Sequence, residues 1–168
     1  DFAVPGVDSE YSQINETDSY AIFGQFDWDI TDRWSLGVGG RYSYEQKDIV
    51  NSAIGGTNLP IIGATFANTA EADWQSFTPK VVLGFRPTDE ISTYLSVSKG
   101  FKSGGFAAAP TTIVDTQALE QEEALNYELG LKADLFDNTL RLNTAFFHTD
   151  YKNVQYQSFG PRPGIIEF

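Results

Sequence analysis

From Ser19 onward, apolar and polar residues alternate with a period of two rather than 3.6. In "YAIFGQFDWDI", Tyr20, Ile22, Gly24, Phe26, Trp28 and Ile30 fall on one side, and Ala21, Phe23, Gln25, Asp27 and Asp29 on the other. Successive side chains of a strand point to opposite faces, so this pattern predicts a β-strand with one greasy face. After the short "TDR" comes "WSLGVGGRYSYEQK", in which Trp34, Leu36, Val38, Gly40, Tyr42 and Tyr44 alternate with Ser35, Gly37, Gly39, Arg41, Ser43 and Glu45. Two such runs around a polar turn predict an antiparallel hairpin over about residues 19–47.

The unit recurs. "WQSFTPKVVLGF", "RPTDE" and "ISTYLSVSKGF" predict a second hairpin over about 74–102, with Phe77, Pro79, Val81, Leu83 and Phe85 opposing Ser76, Thr78, Lys80 and Gly84. "ALNYELGLKADL", "FDN" and "TLRLNTAFFHTDY" predict a third over about 122–152, where Leu125, Tyr127, Leu129, Leu131 and Leu135 oppose Asn126, Glu128, Lys132 and Asp134. Three hairpins imply about six strands, an all-β fold built by repetition.

The turns within the hairpins are short and carry Asp, at Thr31-Asp32, Thr88-Asp89 and Asp137-Asn138. The links between hairpins, expected from about Asp48 to Asp73 and from Ser103 to Glu122, are long and rich in Gly, Ala, Thr, Pro and Asn. Short turns at one end and long loops at the other are the arrangement of an antiparallel transmembrane β-barrel, with turns on the periplasmic side and loops outside. Strand length agrees. Ten steps from Trp34 to Tyr44, at ~3.3 Å each and a tilt of ~40°, cover roughly 25 Å along a barrel axis, the height of the lipid-facing band. Trp34 and Trp28 would then lie at one boundary, and Tyr20, Tyr42 and Tyr44 at the other. Alternation does not say which face points inward, so a soluble β-sandwich or small-ligand-binding barrel with the greasy face inside stands as the alternative.

Aromatic residues are plentiful, with Phe 13, Tyr 8 and Trp 3, while Cys and Met are absent. The formal charge of -12 excludes nucleic acid as a partner, because neutralising phosphates needs clustered Lys and Arg. The uncharged run Ile49–Ala70 is not a membrane helix, being broken by Asn51, Gly55, Gly56, Asn58, Pro60 and Gly63. Nothing at the N-terminus has the zones of a signal peptide, so the chain reads as a mature protein or an excised piece.

"VSKGFKSGGFAAAP" brings Lys102-Ser103 together with glycines, but the Gly104-Gly105 pair follows the Lys-Ser and no helix is promised, unlike a phosphate-binding loop. It reads instead as a strand leaving a sheet, with the glycines easing the exit. Together with Phe77-Thr78-Pro79-Lys80, Arg86-Pro87-Thr88-Asp89, Tyr127-Glu128-Leu129-Gly130-Leu131-Lys132, Leu135-Phe136-Asp137, Arg141-Leu142-Asn143 and Asp150-Tyr151-Lys152, this stretch resembles the barrel of TonB-dependent outer-membrane receptors, particularly iron-siderophore receptors. The resemblance runs from about Tyr20 to Gln157. It implies a monomeric barrel of about 22 strands, plugged by an N-terminal domain, in the outer membrane of a Gram-negative bacterium. It further implies partners in outer-membrane lipid, in TonB through an N-terminal region, and in an iron-siderophore or other small cargo. The plug and the TonB-contacting stretch are not in this sequence, and six strands cannot close such a barrel, so 1–168 reads as a partial barrel domain. The Pro-interrupted "FGPRPGIIEF" makes Phe168 a truncated loop end rather than a barrel-terminal aromatic.

No catalytic set emerges: an enzyme is not expected, and no cofactor is implied. His148 is the sole histidine, which rules out the usual multi-His metal sites, and no Ser-His-Asp arrangement can be built around it. Glu120, Glu122 and Glu123 read as a solvated loop face, with contact to divalent cations as the other possibility. Arg41, Lys80, Glu128, Lys132 and Arg141 belong to the face expected to line the lumen, where they would pair across strands or bond to a plug. Asn58, Phe66, Asn68 and Phe106, placed by this reading in the long loops, are the candidate ligand contacts.

Overall fold

The computed structural model describes residues 10–54, 65–107 and 116–155, with the backbone of 158–159 and 166–167. Six strands run β1 (Glu10–Asp29), β2 (Trp34–Ile54), β3 (Phe66–Phe85), β4 (Ile91–Lys102), β5 (Glu122–Leu135) and β6 (Leu140–Lys152). They form one antiparallel sheet in sequence order, and β7 (Ser158–Phe159) pairs with β8 (Ile166–Glu167) in a separate two-stranded ladder. Among the described residues β1 and β6 are not paired to each other, so the sheet is open. No described helix is long and apolar enough to cross a membrane.

Residues paired directly across an antiparallel ladder share a face. The register Phe26↔Val38↔Val81↔Val97↔Tyr127 therefore unites the greasy stripes of five strands on one face. Arg41, opposite Thr78, lies on the other face with Lys80, Glu128, Lys132 and Arg141. The apolar face is bare: Ile22 is 74% exposed, Phe146 72% and Phe77 58%. Its turn end carries Trp28, Trp34 and Phe85, the last two stacked with ring centroids 4.4 Å apart. Phe23 and Phe147 are exceptions to the partition, standing exposed on the polar face of the two edge strands.

The register also steps. Phe85, the last residue of β3, pairs with Thr93, two residues into β4, and Ile91, the first of β4, pairs with Ala133, two short of the end of β5. Such a stagger is what tilts strands against the axis of a barrel. The β3–β4 ladder runs only from Phe85↔Thr93 to Lys80↔Ser98, stopping at Pro79, which has no N–H to donate. At the third turn, Phe136, Asp137 and Asn138 all take positive φ (54°, 51° and 65°), a conformation that Asp and Asn tolerate better than Phe.

Three expectations are corrected. The first hairpin is longer than 19–47, since β1 starts at Glu10 and β2 ends at Ile54. The link expected from Asp48 to Asp73 is mostly strand, because β3 already begins at Phe66. Phe66 and Asn68 are accordingly strand residues, not loop residues, while Asn58 lies outside the described residues. The physical reason is common to all three. Above Tyr20 and Tyr44 the formerly greasy face carries Glu16, Asp18, Gln46, Asp48, Glu71 and Asp73, so the stripe disappears although the backbone ladder continues.

A face this apolar, flanked by two unpaired edges, is an aggregation surface in water. The 168-residue segment expressed alone is expected to precipitate without detergent; a monodisperse species with a cooperative melt in plain buffer would contradict the lipid-facing assignment.

Candidate functional site

Among the described residues, a cluster of buried side chains lies on the polar face, at the long-loop end. There Ile49, Asn51 and Ala53 of β2 are each 1% exposed, and Trp74 of β3 is buried. The two arms of the β4–β5 connection, residues 103–107 and 116–121, lie against Trp74 and its neighbours, and their Ala107 and Thr116 are also buried. Gly105 and Leu119 join the arms through an antiparallel bridge, in which the Leu119 N–H donates to the Gly105 carbonyl at 2.7 Å.

Three sets of polar contacts hold these arms to the sheet. Lys47 donates to Ser103 Oγ at 3.1 Å and to the Gly104 carbonyl at 2.7 Å, while it pairs with Glu45 at 3.0 Å. The Ser103 hydroxyl in turn donates to Glu45 Oε1. The Trp74 indole N–H donates to the Leu119 carbonyl at 3.0 Å, and Lys47 Nζ sits 5.4 Å from the ring centroid, within cation–π range. The third set crosses three strands in one register row. Gln13 donates to Asn51 Oδ1 at 2.9 Å, Asn51 to Asn68 Oδ1 at 3.3 Å, and Asn68 to Thr116 Oγ1 at 2.8 Å. Gln13 also reaches the Ala107 carbonyl at 3.0 Å. A partly buried amide row of this kind, centred on the buried Asn51, satisfies its own members and ties the arm to the wall.

Gly104 makes the close approach possible. A β-carbon there would collide with the Leu119 carbonyl oxygen and the Trp74 indole nitrogen. Beside it Phe106 stands edge-on to Trp74, with centroids 6.1 Å apart and planes at 75°. At the strand ends, the Gln155 backbone N–H and then Lys102 hold the Glu122 carboxyl below the usual carboxylate range, against a partial desolvation.

The residues expected to face the lumen share a face but do not form one cluster. Arg141 pairs with Asp134 at 2.5 Å, Glu128 accepts from the Tyr94 hydroxyl at 2.5 Å, and Arg41 Nε donates to Ser43 at 2.9 Å. Lys132 and Arg141 line a cavity of about 330 Å³ at the turn end with Arg86, Asp89, Glu90 and Asp134. The acidic trio is divided: Glu122 pairs with Lys102 on the polar face, and Glu123 with Lys99 at 2.6 Å on the other. Glu122 and Glu123 thus point to opposite faces, and no group of three carboxylates that could hold a metal ion is found among the described residues. His148 is exposed on the apolar-stripe side, 3.1 Å from Asp150.

Sequence reasoning missed Lys47, Trp74, Ser103 and Gly104. One signal was present: Trp74 has the parity of Ser76, Thr78 and Lys80, an aromatic out of phase with the greasy stripe. A large aromatic on the polar side must be covered by something, and here the β4–β5 connection does so.

Residues 1–166 match the family model described as TonB dependent receptor-like, beta-barrel. The pesticin receptor of Yersinia pestis is 28% identical over 144 residues, covering 86% of this chain and 20% of the receptor. The metal-pseudopaline receptor CntO of Pseudomonas aeruginosa is 27% identical over 140 residues, covering 83% and 18%. Among solved structures, the ferric yersiniabactin uptake receptor FyuA of Yersinia pestis superposes with a TM-score of 0.78 at 23% identity, over 88% of this chain and 22% of that one. The siderophore receptor PiuA of Acinetobacter baumannii does so with a TM-score of 0.62 at 25% identity, over 79% and 18%. The chain thus spans about a fifth of the length of the curated relatives it matches. With an open, staggered antiparallel sheet, one bare apolar face and a family match over nearly its whole length, the chain belongs to the β-barrel family of TonB-dependent receptors, proteins of the Gram-negative outer membrane.

Proposed function

We propose that this segment forms part of the barrel wall of a receptor that takes up a scarce metal as its chelate, a ferric siderophore in the first instance. The observation that supports this most is the division of the two faces. One is bare and apolar between Trp34 and Tyr44, as lipid contact requires, and the other is polar and covered by a loop at one end only, as a lumen requires. Coupling to TonB and closure by a plug belong to other parts of such a receptor. Of the four residues first considered for ligand contact, Phe106 is the one this reading keeps, since it stands partly exposed on the loop arm. Asn68 has both ends of its amide engaged by Asn51 and Thr116 and acts as a support.

The soluble-barrel alternative would enclose the greasy face, and the structure leaves Ile22, Phe77 and Phe146 open. The test is uptake. Deletion of the complete receptor carrying this segment is expected to abolish accumulation of a labelled ferric chelate in iron-limited cells, with restoration by the intact gene only when TonB is present. Normal accumulation of every chelate tried, or restoration without TonB, would overturn the proposal.

A further inference from the structure

The β4–β5 arms are held as a packed core is held. Residues 103–107 and 116–121 reach the sheet through Lys47, Trp74, Asn68 and Gln13, on strands β2, β3, β3 and β1 respectively. Gln155, just after β6, adds bonds to the carbonyls of Ser103 at 3.2 Å and Glu120 at 2.7 Å, so both arms are gripped from both sides of the sheet. The contacts are partly buried and gather around the buried Trp74, Gly104, Ala107 and Thr116, whereas a segment that moves in function is drawn from regions with few buried contacts and exposed hydrogen bonds. Swinging these arms outward would strip partners from Gln13, Asn68, Lys47 and the Trp74 indole together. Gly104 points the same way, because the fit against Trp74 and Leu119 leaves no room even for a methyl group.

We propose that these two arms are a fixed shelf on the inner wall, narrowing the external mouth and setting the size of chelate admitted, rather than a lid that opens and closes. This rests on the reading of the polar face as the lumen. Phe106, edge-on to Trp74 on the shelf, is the side chain it presents to a passing cargo.

The test uses the complete receptor in cells. Two cysteine pairs, N68C with T116C and Q13C with A107C, place a thiol on the wall and another on an arm where side chains or backbone now touch. Each pair is joined by a short thiol-specific cross-linker. A fixed shelf predicts efficient joining with no loss of uptake. Loss of uptake that a cleavable linker restores when cut would show that the arms must move, and failure of both pairs to join would show that they do not lie on the wall; either overturns the proposal. Release of the shelf by K47M with W74F removes the ammonium and the indole N–H, and is expected to let bulkier ferric chelates bind; an unchanged size preference also overturns it. A fluorophore at I22C separates the two levels: quenching by brominated lipid upholds the lumen reading whatever the arms do, and no quenching removes that reading and the shelf with it.

Discussion

Arginine in place of Val81 is expected to destabilise the assembled barrel by about 2–4 kcal/mol, whereas arginine in place of its neighbour Val82 has little effect. The two positions differ by one residue and by everything around them. Val81 pairs with Val38 and Val97 on the apolar face, four residues from the Trp34–Phe85 stack and about as far from Phe77, near the middle of the band. A guanidinium there has no water and no partner, and its long side chain is at its greatest distance from either boundary. Val82 pairs with Gly37 and Ser96 on the polar face, beside Lys80 on the same strand, where a charge is already accommodated. In the complete receptor, urea unfolding in lipid followed by heat-dependent gel mobility measures both. Equal losses at the two positions would mean that the faces have been assigned wrongly.

Alanine at Gly104 is the second large effect. A methyl group at this position meets a backbone carbonyl and the rigid edge of Trp74, neither of which can rotate away, so the arm must lift. Overpacking of this kind costs about 1–3 kcal/mol, and here it acts on the arm more than on the barrel. The Leu119 amide bonds to Gly105 across the two arms, beside the point where the added methyl forces the Leu119 carbonyl away, and is therefore expected to exchange hydrogen about 5- to 150-fold faster. Gly100 supplies the control, since a β-carbon there meets nothing within 4 Å and alanine should be neutral. Equal exchange at Leu119 in the two variants would refute the close packing at Gly104.

Whether a strand could be recognised from its residues depended on what surrounds it. Within the apolar band, lipid on one face and polar groups on the other enforce a strict alternation, and the strands between Tyr20 and Trp28, Trp34 and Tyr44, and Phe77 and Phe85 announce themselves. Beyond the band the once-greasy face meets water, so Glu16, Asp48 and Glu71 sit in one register row there with no apolar stripe to mark it, and the other face is covered only by the distant β4–β5 connection. That is why the extensions to Ile54 and from Phe66 read as part of a loop, and the one back to Glu10 falls outside the first predicted hairpin. The charges of the polar face were legible as a set, because parity alone puts Arg41, Lys80, Glu128, Lys132 and Arg141 together. Their partners were not, since Asp134 for Arg141 and Tyr94 for Glu128 depend on rotamers and register.

The amino-acid order by itself determined the β-strand period, the three hairpins, the two unlike faces and the resemblance to a receptor barrel, all of which follow from local alternation and turn chemistry. Only the tertiary structure decided what lies against the polar face. The contacts of Lys47 with Ser103 and Gly104, of Trp74 with Leu119, and of Asn68 with Thr116 join residues 45 to 57 positions apart, and no local pattern encodes such a meeting. It arises because the strands fix where each wall side chain stands, and because the connection after β4 can lower its bare Gly104 backbone onto the tryptophan that one strand leaves out of phase.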